Sequence, residues 1–150
     1  MKKCILLIFG LSLFLSVSAQ KVDVNDLPNG VTKVFKTSFP DAFNAFWQKT
    51  DTSYISDFTF NETKGKAFFS LNGDLLNTEW SVPPQYLPKK IKDLIAEKYK
   101  GYKVKQSDIV KKATDTESKY RVIITQKKAV ETLIFNLKGE PFVTGEPKIQ

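Results

Sequence analysis

The chain repeats itself, and that constrains its fold more than any other feature. Leu27-Pro28 followed by Val31, Val34, Phe35 and Phe39 is matched sixty positions on by Leu87-Pro88, Ile91, Leu94, Ile95 and Tyr99. These spacings place the apolar residues on one stripe of an amphipathic helix, and proline suits the first position of each. Phe39-Pro40 stops the first helix, because the residue before a proline avoids helical geometry. The second ends near Gly101, a residue type suited to a left-handed cap.

After each helix the apolar period falls from about 3.6 to 2, the mark of strands with one buried face. Tyr54, Phe58 and Phe60 alternate with Ile55, Asp57 and Thr59, and Tyr120, Val122 and Ile124 alternate with Arg121, Ile123 and Thr125. Ala67, Phe69 and Leu71 are answered by Leu133, Phe135 and Leu137 before the turns Asn72-Gly73-Asp74 and Lys138-Gly139-Glu140. The offset has grown from 60 to 66, which places a six-residue insertion in the polar stretch from Lys111 to Lys119. A strand before each of these pairs, near 42–49 and 102–110, and one after each turn, near 75–82 and 142–149, complete a meander. Hairpin-length links require antiparallel pairing. The expected fold class is α+β: two tandem helix-plus-antiparallel-sheet repeats, at 20–84 and 85–150, with the helices packed on one face of the sheets and Val82-Pro83-Pro84-Gln85 as a stiff joint.

Residues 1–19 read as an export signal. Met1-Lys2-Lys3 is basic, Cys4 to Leu15 is apolar apart from Gly10 and Ser12, and Val17-Ser18-Ala19 provides small residues, so cleavage is expected between Ala19 and Gln20. The apolar run is shorter than the roughly 20 residues that cross a bilayer, so no membrane attachment is expected once the signal is removed. The sole cysteine, Cys4, lies before the apolar core rather than at the cleavage site, which argues against a lipid anchor. Without the signal the chain has neither cysteine nor histidine, so packing must supply stability, and ten of the twelve phenylalanines remain available for it.

Loss of Lys2 and Lys3 leaves 21 basic against 16 acidic side chains, a charge of +5, spread unevenly. Residues 20–86 carry −2 and residues 87–150 carry +7, a balance that fits a soluble lysine-rich surface first and an acidic partner second. Nucleic acid is not expected, because the lysines follow no binding motif.

The arrangement of Leu27-Pro28, Phe39-Pro40-Asp41-Ala42, Trp47, Tyr54, Phe58 and Asn72-Gly73-Asp74, then Leu87-Pro88, Tyr99-Lys100-Gly101-Tyr102 and Tyr120, resembles the PepSY-like proteins also labelled beta-lactamase-inhibitor-like. The resemblance implies a bacterial periplasmic or secreted protein of tandem helix-and-sheet modules that binds or inhibits another protein. The second copy departs from the pattern, with Gln106 in the place of Phe46, Ser107 in that of Trp47 and Lys138 in that of Asn72.

Catalytic apparatus is missing from the sequence. Without histidine or a second cysteine, the commonest general base, thiol nucleophiles and soft metal sites are absent, and no cofactor is expected. Two carboxylate pairs are the remaining route to an enzyme, Asp51 with Asp57 and Asp115 with Glu117, and turn or strand settings give both ordinary solvation. No Gly-x-Ser-x-Gly or Ser-x-x-Lys motif occurs where strand meets helix.

The informative groups are those the helices cannot cover. If Tyr54, Phe58, Ala67, Phe69, Leu133 and Phe135 face the helices, alternation sends Ile55, Phe68, Ile123 and Ile134 to the other face, with Asp57 and Arg121. Phe46 and Trp47 are adjacent, so one of them joins that face; Trp47 is otherwise a core residue, as is Trp80. An apolar patch rimmed by charge is a protein-binding surface, with Trp47, Ile55, Phe68, Arg121, Ile123 and Ile134 as its contact residues. Two other fates are open to it: cover by the other copy, or self-association, and the sequence does not fix the oligomeric state. A carrier or sensor of a small apolar or anionic ligand, held between sheet and helices, is the second functional reading, supported by aromatic richness.

Overall fold

A computed structural model describes residues 19–142. Strands β1 (Gln20–Val22), β2 (Phe43–Lys49), β3 (Ser53–Phe60), β4 (Thr63–Ser70), β5 (Leu75–Ser81), β6 (Lys103–Lys112), β7 (Lys119–Gln126) and β8 (Ala129–Phe135) form one sheet in chain order, antiparallel throughout. Helix α1 (Asn29–Ser38) lies between β1 and β2, and α2 (Lys89–Lys98) between β5 and β6. One-turn 3-10 helices at Val24–Asp26 and Pro84–Tyr86 lead into them.

This corrects the expected fold class. The chain does not build two tandem helix-and-sheet modules; it builds a single open eight-stranded sheet. β5 hydrogen-bonds β6 from Asn77↔Lys112 to Ser81↔Asp108, so the sheet runs unbroken past the proline-rich segment that looked like a joint. The reason is backbone satisfaction: an exposed β5 edge would leave a row of N–H and C=O groups unpaired, and β6 returns from α2 in position to pair them. Ser107 strengthens the seam, donating its hydroxyl to the Val82 carbonyl at 2.5 Å while the Val82 N–H bonds back to the Ser107 carbonyl.

Helix limits follow the local signals. Pro28 and Pro88 each occupy the N-cap, one position before the first helical residue, and α1 ends at Ser38 before Phe39-Pro40. α2 ends at Lys98, and Gly101 takes a φ of +86°. The two-residue turn between β3 and β4 holds Asn61 and Glu62 with φ of 47° and 61°, the left-handed pair that matches strand twist in a tight hairpin. Gly73, at φ +101°, lets the turn after β4 press on the backbone of Gly30 at the start of α1, where a side chain at 73 would meet the Gly30 carbonyl carbon at 2.8 Å. The turn after β8 rests likewise on α2, and the Asn136 amide, with Lys90 next in effect, holds the Glu140 carboxyl below the usual range.

Both helices pack on the same side of the sheet, over two clusters. Leu27, Val31, Phe35 and Phe39 meet Trp47, Tyr54, Phe58, Ala67 and Phe69 in the first. Leu87, Ile91 and Ile95 meet Val122, Ile124 and Phe135 in the second. Phe35 stacks against Phe39, Trp47, Phe58 and Phe69 with ring centroids 5.0–6.3 Å apart, and burying such a side chain stabilises the fold by about 1.5–3 kcal/mol.

Three expectations fall elsewhere. The signal at 1–18 and a strand beyond Phe142 lie outside the described residues, while Ala19 stands immediately before β1 and Gln20 begins it. Sequence periodicity missed β1, which is too short to show any. Leu71 and Leu137, read as inward-facing, are 43% and 50% exposed, because β4 ends at Ser70 and β8 at Phe135.

Candidate interaction face

Residues directly opposite on paired strands share a face, so the registers fix what each side of the sheet presents. The side away from the helices carries Phe46, Asp57, Lys66, Glu79, Val110 and Lys119 in one row. A second row holds Gln48, Ile55, Phe68, Asn77 and Lys112, and a third holds Ser81, Asp108, Arg121 and Ile134. Ile123 lies beside Gln106 and Thr132.

Of the six residues expected at a contact surface, five are on this face and one is not. Ile55 and Phe68 are cross-strand partners on β3 and β4, Arg121 and Ile134 are partners on β7 and β8, and Ile123 follows Arg121 by two. All five are half-buried. Trp47 is the exception: only 4% exposed, it packs on the helix side against Phe35 and Phe69. A bulge in β2 decides this. One extra residue between Phe43 and Phe46, with Asn44 at φ 54°, puts both phenylalanines on the open face at 53% and 41% exposure and turns Trp47 to the core.

The two apolar groups do not merge into one patch rimmed by charge. Three strand spacings, about 14 Å, separate Phe68 on β4 from Arg121 on β7, and charged side chains fill the interval. Arg121 donates from Nη1 and Nη2 to the two Glu79 carboxylate oxygens at 2.8 and 2.6 Å, and Nη2 donates again to Asp108 Oδ2 at 2.9 Å. Gln106 donates to Asp108 at 2.8 Å and Asn77 to Glu79 at 3.2 Å. Lys66 pairs with Asp57 at 3.1 Å. The centre of the face is ionic and its flanks are apolar.

The hydrogen bonds that Arg121 donates to Glu79, opposed by desolvation and aided by Asp108, raise its already high pKa. A raised value stabilises the fold at every pH below the unfolded value and is lost only when alkali deprotonates the guanidinium, so this charge is constant over any working range. Sequence reasoning missed Glu79, Asp108 and Phe43, and left open whether Phe46 or Trp47 joins this face. Alternation against Trp80 would have turned Glu79 outward, but its pairing with Arg121 depends on β5 lying beside β6, for which the sequence carries no local signal.

The carboxylates weighed for catalysis are not paired with one another. Asp57 is bound to Lys66 and Asp115 to Lys119 at 3.1 Å, while Asp51 and Glu117 are exposed. Among the described residues, no group of three or more His, Cys, Asp or Glu side chains could hold a metal ion, and no helix is long and apolar enough to cross a membrane.

No family model matches this sequence, and no curated protein matches it either. Solved structures do. A BLIP-like protein of Bacteroides fragilis superposes with a TM-score of 0.68 at 17% identity, over 83% of this chain and 92% of that one. A DUF2874 family protein of Bacteroides ovatus gives 0.66 at 18%, over 77% and 84%. A candidate periplasmic protein of Bacteroides eggerthii gives 0.66 at 16%, over 77% and 85%. The chain thus has the fold of the BLIP-like and DUF2874 family proteins.

Proposed function

We propose that this is a non-enzymatic, exported bacterial protein that docks another protein through the open face of its sheet. The observation that carries the reading is the composition of that face. Phe43, Phe46, Ile55 and Phe68 form one apolar flank and Ile123 and Ile134 the other, on either side of an anchored Arg121. Aromatic and arginine side chains held rigid on a sheet are the groups that dominate protein interfaces. Cations exceed anions there: among the described residues Lys64 and Lys112 form no ion pair, which suits an acidic partner. The signal-like residues 1–19 and the candidate periplasmic relative support a periplasmic or secreted location.

Affinity capture from the periplasmic fraction tests the docking surface. Recovery of a specific partner should drop at least tenfold, about 1.4 kcal/mol in affinity, when Phe46→Asp and Phe68→Asp are combined. It should be unchanged by Lys98→Glu on α2. Equal recovery by the double variant, with an unchanged melting temperature, would refute this surface.

A further inference from the structure

We infer that a cleft on the helix side, between α1 and β2, binds a small amphipathic carboxylate. It encloses about 340 Å³ and is lined by Phe35, Phe39, Trp47, Ala42 and Ala45, with Lys36 at its rim. That volume lies within the roughly 300–1,000 Å³ range of small-ligand sites.

The lining of the cleft differs from the matching place in the second half of the sheet. Where β2 begins, the Ala42 N–H bonds the Phe39 carbonyl at 3.1 Å; where β6 begins, the Tyr102 N–H bonds the Tyr99 carbonyl at 3.0 Å. The two backbones make the same turn. In the second, the Tyr102 ring stands edge-on to Tyr99 at 5.8 Å and packs against the second core cluster. In the first, Ala42 supplies only a methyl group, and Ala45 lines the same space, so the cleft has small side chains along β2 and the edges of the largely buried Phe35, Phe39 and Trp47 rings at its base. Van der Waals partners absent there are ones a ligand can supply.

The charge of the lining selects the ligand's polar end. No acidic side chain lines the cleft; Lys36 is its only charged group, and among the described residues it forms no ion pair. Asp23 and Asp41 neighbour lining residues in the chain without lining the cleft themselves. An aromatic floor with one ammonium at the rim matches a single carboxylate on an apolar body, such as a medium-chain or single-ring acid. The open docking face is on the other side of the sheet, so failure of either reading leaves the other standing.

Calorimetric titration of protein purified from cells expressing the full chain, with decanoate and with 1-decanol as probes, tests this. Saturable one-to-one binding of decanoate is expected, weakened about tenfold or more by Ala45→Phe, which fills the space from an exposed position. Lys36→Glu should weaken decanoate several-fold and leave 1-decanol unchanged. No saturable heat with decanoate, or decanoate binding to folded Ala45→Phe as tight as to the unaltered protein, would overturn the inference. Should Ala45→Phe fail to fold, Lys36→Glu decides alone: an unchanged preference between the two probes rejects the carboxylate.

Discussion

One row of the buried face is built twice, with opposite solutions. In the first half Trp47, Ser56 and Ala67 follow one another across the strands, a large side chain and then two small ones. In the second half the corresponding row is Ser107, Val122 and Leu133, a small side chain and then two branched ones. The helix above follows suit, presenting Phe35 to the first row and Ile95 to the second. The lesson concerns what packing requires. A row must be filled to native density, but which strand supplies the volume is free, provided its neighbours give way.

The polar atoms pay out differently in the two rows. Ser107 sits at the seam and donates to Val82, whereas Ser56, fully buried amid rings, has a hydroxyl without a partner among the described residues. Gly65 belongs to the first solution too. Trp80 and Phe58 cover it so closely that an added Cβ would stand 2.7 and 2.9 Å from their ring atoms.

Exchange between the rows gives the largest expected effect. Trp47→Ser should cost about 3–5 kcal/mol, because Ser56 and Ala67 are too small to close the cavity, and the melting temperature reports it. The triple variant Trp47→Ser, Ser56→Val, Ala67→Leu, which writes the second solution into the first row, should recover at least about 1 kcal/mol of that loss. Additive behaviour would break the comparison. Gly65→Ala should cost about 1–3 kcal/mol in denaturant unfolding through overpacking under Trp80, with no counterpart in the second half.

The seam comes next in size. Arg121→Met should destabilise the fold by about 1–3 kcal/mol, below the cost of breaking a fully buried pair because the arginine is a quarter exposed. Glu79, 13% exposed, and Asp108, 8% exposed, lose their shared counter-charge in that variant. Its unfolding should stay a single transition, since β5 and β6 remain paired through their backbones. Ser56→Ala is the smallest effect and of opposite sign, raising stability by up to about 1 kcal/mol by removing a hydroxyl that finds no partner.

Much of this molecule was legible locally. The helix stripes, their proline starts, the glycine turns and the inward residues of β3, β4 and β7 follow from period and turn chemistry in a few adjacent residues. What escaped depends on relations the sequence does not carry locally. The β5–β6 ladder joins strands separated by a whole helix, so two similar halves read as two modules when they are one sheet. The β2 bulge shifts register by one residue, which moved Trp47 inward and left Phe43 and Phe46 outside. The candidate face was therefore half visible: Ile55, Phe68, Ile123 and Ile134 came from alternation, while the ionic centre of Glu79 and Asp108 needed the seam.

Site-specific photo-crosslinking in living cells tests the docking account most directly, with the photoreactive residue placed in turn at Phe68, at Ile134 and at Lys98. The account predicts adducts with the same protein from Phe68 and Ile134, on opposite flanks of the sheet, and none from Lys98 on the outer side of α2. Adducts from Lys98 with none from either sheet position would contradict it.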